Sequence, residues 1–217
     1  VPEFLNQCKS KVEINLNKTT GGRMARKRGV GNYTRGVYKA TVGGRPTKEY
    51  VLWRGLLLRC YDAKFHESHP TYTCCSVSDE FLEFQLFAGW CNSQVGFKEG
   101  GELDKDLLIR GNSHYCEDTC LFLPKPLNML LINSGASRGA LPVGVTFHKP
   151  NSKYRAQMSR GNSRVTTLGY FDTPEEAFQV YKKAKEVFIK QRAEEYRYVL
   201  DPRAYDALMN YQINIED

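Results

Sequence analysis

The sequence predicts an α+β chain in which short strands and helices group into small successive modules. Two patterns and one gap carry that expectation. Residues 102–132 read strand, loop, strand, helix, and residues 141–198 read three strands and a helix. Between them NSGASRGALP is rich in Gly and Ser, which marks a linker over residues 133–140.

Taken in order, residues 1–30 read as an irregular, flexible, basic arm. GNYTRGVYKATVGGRPT, residues 31–47, reads as a hairpin, with alternation around Tyr38, Ala40 and Val42 before a Gly-Gly turn. KEYVLWRGLLLRCYD, residues 48–62, has helical spacing: Tyr50, Trp53, Leu57 and Cys60 or Tyr61 recur every three to four residues. AKFHESHPTYTCCSVSDEF is loop-like around Pro70. Ser78 then starts a helix with Glu80 and Glu83 near its first turn. On it Phe81, Phe84, Phe87 and Trp90 form an aromatic face, the mark of a core. ELDKDLLI reads as a strand, RGNSHYCED as a turn-rich loop and TCLFLP as a second strand. PLNMLLI starts a helix behind Pro124 and Pro126.

Beyond the linker come VGVTFHK, the turn PNS, KYRAQMS, the turn RGNS and RVTTLGYF. Asp172-Thr173-Pro174-Glu175-Glu176 is a helix start: Thr173 caps, Pro174 takes the first helical position and Glu176 returns the capping bond. The helix should run to about Arg197, with Ala177, Phe178, Tyr181, Ala184 and Phe188 on one face. Residues 199–217 read as a tail with a short helix and an extension.

The formal net charge is +7, and its distribution says more than its size. Residues 1–60 hold thirteen Lys and Arg against three Glu; the remainder holds eighteen against twenty-one Asp and Glu. Basic character at one end suits an arm reaching for phosphates, with Arg23, Arg26, Lys27 and Arg28 as its contacts. No apolar run is long enough to span a bilayer and the first residues lack a signal peptide's apolar stretch, so no membrane partner is expected. Seven cysteines, an odd number without a secretion signal, point to reduced thiols in a cytoplasm.

GVTFHKPNSKYRAQM followed by LGYFDTPEEAFQVYKKAK resembles the AP2 family of DNA-binding domains over about 55 residues, spanning 141–198. The resemblance implies a three-stranded antiparallel sheet lying in the major groove of double-stranded DNA, braced by the helix. Strand alternation agrees. Tyr154, Ala156 and Met158 should face the helix, with Val145, Phe147 and Leu168. Arg155, Gln157, Ser159, Thr146, His148, Val165 and Thr167 should face outward, with Lys149 and Lys153 at the edge. Such groups bond base edges and phosphates. Members with strong readout carry more Arg and Trp here, so modest specificity is expected.

LDKDLLIRGNSHYCEDTCLFLPKPLNMLL is similar to the HNH, or ββα-metal, nucleases of phage homing endonucleases, which often carry a C-terminal AP2 domain. Helix-rich stretches such as YVLWRGLLLRCY and SDEFLEFQLFAGWC commonly precede that module. The resemblance implies a nuclease region over 31–132 with its ββα core at about 102–132. It also implies a phage-encoded enzyme in a bacterial cytoplasm, expected as a monomer. The family's strand-end metal ligand falls on Asp104 and its helix ligand on Asn128. Its base-orienting Asn falls on Thr119 and its general-base His on Lys105. Three readings stay open: Lys105 is the base; His114 is the base and Lys105 steadies charge; or the site is inactive and the chain is a DNA-binding regulator. On a regular strand Asp104 and Asp106 share a face, so Asp106 joins the candidate ligands of a Mg²⁺ or Mn²⁺ ion. Cys74-Cys75 and Cys116-x₃-Cys120 lack a second pair at zinc-finger spacing, so buried thiols are expected rather than structural zinc.

Overall fold

The structure is a computed structural model that describes residues 25–27, 30–132, 140–160 and 165–216. In chain order the elements are β1 (Ala25–Lys27), β2 (Gly31–Tyr33), β3 (Thr41–Val42), β4 (Arg45–Pro46), α1 (Lys48–Tyr61), α2 (Ala63–Ser68) and β5 (Ser76–Val77). Then come α3 (Asp79–Leu82), α4 (Phe84–Ser93), β6 (Glu102–Asp104), β7 (His114–Tyr115), β8 (Leu121–Leu123) and α5 (Lys125–Leu131). The last are β9 (Val145–His148), β10 (Lys153–Ser159), β11 (Val165–Phe171), α6 (Pro174–Glu195) and α7 (Pro202–Met209). The protein is therefore mixed α+β, with small sheets and several helices. Among the described residues no helix is long and apolar enough to cross a membrane. The chain forms two compact units, Val1–Ser93 with Gly111–Thr119 and Gln94–Arg110 with Cys120–Asp217.

In the first unit α1 is capped by the Thr47 hydroxyl, which accepts the Tyr50 N–H. Trp53, Leu56 and Leu57 are buried, and the Trp53 indole N–H donates to the Phe81 carbonyl at 2.9 Å, which satisfies its polar edge inside the core. Phe81, Phe84 and Phe87 have no exposed surface, as the aromatic face requires. The Gly-Gly turn closes β3 on β4, with φ +56° at Gly43 and +76° at Gly44, angles that glycine alone adopts freely.

Several local expectations are corrected. Residues 25–27, placed in the irregular arm, pair antiparallel with β2. The helix from Ser78 breaks at Glu83, whose backbone is extended (φ −87°, ψ 115°) and bridges to Asn32. The Asn32 amide donates to the Glu83 carboxylate at 2.6 Å. The supposed loop after residue 62 holds α2, a 3₁₀ turn at Pro70–Tyr72 and β5. β5 pairs parallel with β7, itself inside the segment read as turn-rich. Cys75 and Cys120 are buried as expected, but Cys74 is exposed and Cys116 only half-buried.

In the second unit β6 pairs antiparallel with β8, setting Glu102 opposite Leu123 and Asp104 opposite Leu121. β8 is buried throughout. The strand expected over ELDKDLLI stops at Asp104. There the Asp104 carboxylate accepts the N–H groups of Asp106 (3.0 Å) and Leu107 (2.8 Å), so a side chain replaces the ladder partner and turns the chain. The other sheet has the order β11-β10-β9, all antiparallel. Gly144 enters it at φ +76°, where a Cβ would lie 2.1 Å from the Tyr181 ring. α6 has the expected capping box between Thr173 and Glu176. Its buried face is Ala177, Phe178, Tyr181, Ile189 and Ala193, whereas Ala184 and Phe188 are half-buried. α7 packs on α6. Beyond it Lys182 donates to the Ile213 carbonyl, the Ile213 N–H donates to Glu186 (2.9 Å), and Arg110 donates to the Gln212 carbonyl (3.0 Å).

Candidate functional site

Two places in the second unit hold the side chains singled out from the sequence. The first is the end of β6. Glu102 and Asp104 stand two positions apart on one side of that strand. Asn128, on the second turn of α5, donates from its amide nitrogen to the Glu102 carboxylate at 2.9 Å. A carboxylate only accepts, so that bond fixes the amide and turns the Asn128 carbonyl oxygen away from Glu102. Both hydrogen bonds to the Asp104 carboxylate fall on Oδ1. Burial pushes its carboxyl above the ordinary Asp value, against the opposing pull of the Leu107 N–H. One carboxylate oxygen and one amide oxygen make a donor set that fits a hard divalent ion such as Mg²⁺ or Mn²⁺. Among the described residues no three His, Cys, Asp or Glu side chains gather as a metal cluster. Glu102 was not singled out from the sequence; the E-x-D spacing on a strand was its available signal.

Lys105 and Asp106 follow the turn. The Lys105 ammonium contacts the Asp106 carboxylate at 2.6 Å, and the side chains are 12% and 53% exposed. Asp106 would share a face with Asp104 only on a regular strand, and the strand ends in the turn at Asp104. Asp106 is the counter-charge of Lys105.

His114 and Thr119 belong to the first unit. His114 is exposed, with Nδ1 2.8 Å from the Ser76 hydroxyl. The Thr119 hydroxyl donates to the His114 carbonyl at 3.0 Å and contacts the Cys116 sulfur at 3.2 Å. Thr119 thereby holds the backbone of β7.

The second place is the outer face of the β11-β10-β9 sheet. Ala156 and Met158 are buried toward α6, so Lys153, Arg155, Gln157 and Ser159 point the other way. Arg155 lies opposite Thr146 in register, and its guanidinium donates to the Thr146 hydroxyl at 3.3 Å. Phe147, expected inside, is 49% exposed and packs edge-on against Tyr154 at the sheet margin. Lys149 sits in the exposed 3₁₀ turn after β9, and Lys153 pairs with Asp172 at 3.1 Å.

On β11 the register slips between Ala156 and Gln157: Ala156 pairs with Gly169, but Gln157 pairs with Thr167. Leu168 is the extra residue of a bulge. Thr167 and Val165 stay outward, opposite Gln157 and Ser159. Past the bulge the phase inverts, so Tyr170 stands outward opposite Arg155 and Phe171 turns inward. The Tyr170 ring meets His148 edge-to-face at 5.0 Å, and His148 Nδ1 is buried without a hydrogen-bond partner among the described residues. Tyr170 was missed by plain alternation. The i,i+3 spacing of the inward pair Leu168 and Phe171, with Gly169 between them, was the signal.

Of the basic arm, Arg26 and Lys27 lie in β1, described by its backbone alone; Arg23, Arg28 and the linker residues 133–139 lie outside the described residues. No protein-family model, curated protein or solved structure matches the chain.

Proposed function

We propose that the chain is a metal-dependent DNA endonuclease of the phage homing type, with β6, β8 and α5 as its ββα-metal core and β9–β11 with α6 as an AP2-type reader of duplex DNA. The observation that carries this reading is the Glu102–Asn128 bond beside Asp104. It holds the Asn128 amide against the strand that ends in the turn-locked Asp104 carboxylate. A bound Mg²⁺ or Mn²⁺ would offset charge on the scissile phosphate and its leaving oxygen. Asp104 and Asn128 would hold the ion, with Glu102 fixing the Asn128 amide. Lys105, already an ion-paired cation, stabilises charge rather than accepting a proton. The outer sheet face supplies Arg155, Gln157, Thr146, Thr167, His148 and Tyr170 for groove and phosphate contacts.

The competing reading is a regulator that binds DNA without cutting it. Lys105 favours it, because an ion-paired lysine stands where the resembled nucleases carry a histidine base. Plasmid nicking with Mg²⁺ or Mn²⁺, against an EDTA control, decides between them. Relaxed plasmid that appears only with metal supports the nuclease. Specific binding without nicking under any divalent ion replaces it with the regulator.

A further inference from the structure

We propose that residues 35–45 of the first unit form a second, sequence-independent contact for the phosphate backbone of duplex DNA. The inference rests on the reading that the chain binds DNA, and it concerns a surface other than the sheet face. Arg35, Lys39 and Arg45 are exposed, and among the described residues none has an ion-pair partner. Glu49 accepts from the Asn92 amide at 2.9 Å and Glu83 from the Asn32 amide at 2.6 Å, and neither is ion-paired with these cations.

The backbone bearing the cations is pinned. The Gln85 side chain grips the loop at three points, accepting the Tyr38 N–H at 3.1 Å and donating to the carbonyls of Thr34 (3.1 Å) and Tyr38 (2.8 Å). The Thr47 hydroxyl donates to the Lys39 carbonyl at 2.9 Å, and the Thr47 N–H to that of Ala40 at 2.9 Å, closing the base of the β3–β4 hairpin. Val37 is 87% exposed, and no atom lies within 4 Å of where a Cβ would stand on Gly43 or Gly44. A solvated loop kept only for solubility needs no such clamp. A loop that presents cations at fixed spacing loses less freedom when a polyanion binds. A duplex backbone, with closely spaced phosphates, is the partner that charge selects.

The test is fluorescence anisotropy of a labelled mixed-sequence duplex, titrated with the full chain between roughly 50 and 200 mM salt. Each phosphate neutralised contributes a slope of about 0.9 to log K against log salt. The variant carrying Arg35→Ala, Lys39→Ala and Arg45→Ala should therefore be shallower than the parent by about 2 to 3. Arg35→Lys with Arg45→Lys should keep the parental slope, because charge rather than packing carries the contact. If the parent binds but the triple variant keeps its slope, this surface is not a contact. Should the triple variant lose its circular-dichroism signal, three single Gln substitutions replace it, and unchanged slopes in all three overturn the inference. A parent that binds no duplex at all overturns both this surface and the DNA-binding reading beneath it.

Discussion

The β6–β8 hairpin and the β9–β11 sheet lie in the same unit, yet they use strands in opposite ways. In the sheet, two strands run for seven residues each, and their value lies in continuity: alternate side chains build a broad polar face over a buried apolar one. In the hairpin, β6 is three residues long, and its value lies in where it stops. The Asp104 carboxylate ends the ladder by capturing two N–H groups, and the same capture fixes the carboxylate proposed to hold metal. A recognition face depends on register, whereas a reactive site depends on termination. Substitutions should therefore spread their cost along the first and concentrate it in the second.

The largest effect that would sharpen this contrast is on cleavage. Asp104→Ala and Asn128→Ala should each abolish metal-dependent nicking while duplex affinity by anisotropy stays near parental, because the proposed DNA contacts lie on other surfaces. Persistent nicking in both variants would break the contrast at its root. Glu102→Gln keeps the strand but weakens the hold on the Asn128 amide; it should lower metal affinity about 10- to 100-fold, read by Mg²⁺ titration of the nicking rate. On the sheet, Arg155→Ala and Gln157→Ala should each cost about 1–3 kcal/mol of binding to a preferred site, with nicking chemistry at saturation unchanged. Equal affinity on matched and mismatched duplexes would show that this face reads nothing. The smallest effect is on stability alone. Thr173→Ala removes the cap of α6 and should cost about 1 kcal/mol in a denaturant melt.

What the sequence disclosed follows the same division. The α6 capping box, α1, the glycine turn and the inward pair Ala156 and Met158 all rest on neighbours in sequence, and all were readable. The features that escaped depend on partners far along the chain or on a side chain competing with the backbone. The break at Glu83 comes from Asn32, fifty-one positions away. The parallel pairing of β5 with β7 joins two segments that each read as loop. The end of β6 comes from Asp104 bonding its own downstream backbone, which made the face shared with Asp106 disappear. Asp104 and Asn128 were named as candidates from the resemblance; the E-x-D spacing pointed to Glu102, but its bond to Asn128 joins β6 to a helix twenty-six positions on.

The bulge at Leu168 makes one residue a phase switch. Val165 and Thr167 lie on one side of the slip, Tyr170 and Phe171 on the other, and leaving Leu168 out of the ladder decides which of the latter two meets solvent. Pairing Leu168 itself with Ala156 in an unbroken ladder would exchange them: a phenol would enter the apolar layer against α6 and a benzyl ring would face outward, whereas deleting Leu168 keeps Gly169 opposite Ala156 and leaves both rings where they are. Substituting Leu168 by Val or Ile would leave both where they are. The outward set of β11 thus depends on the slip as much as on its residues, and the same residues in a ladder without the bulge would present a different polar face.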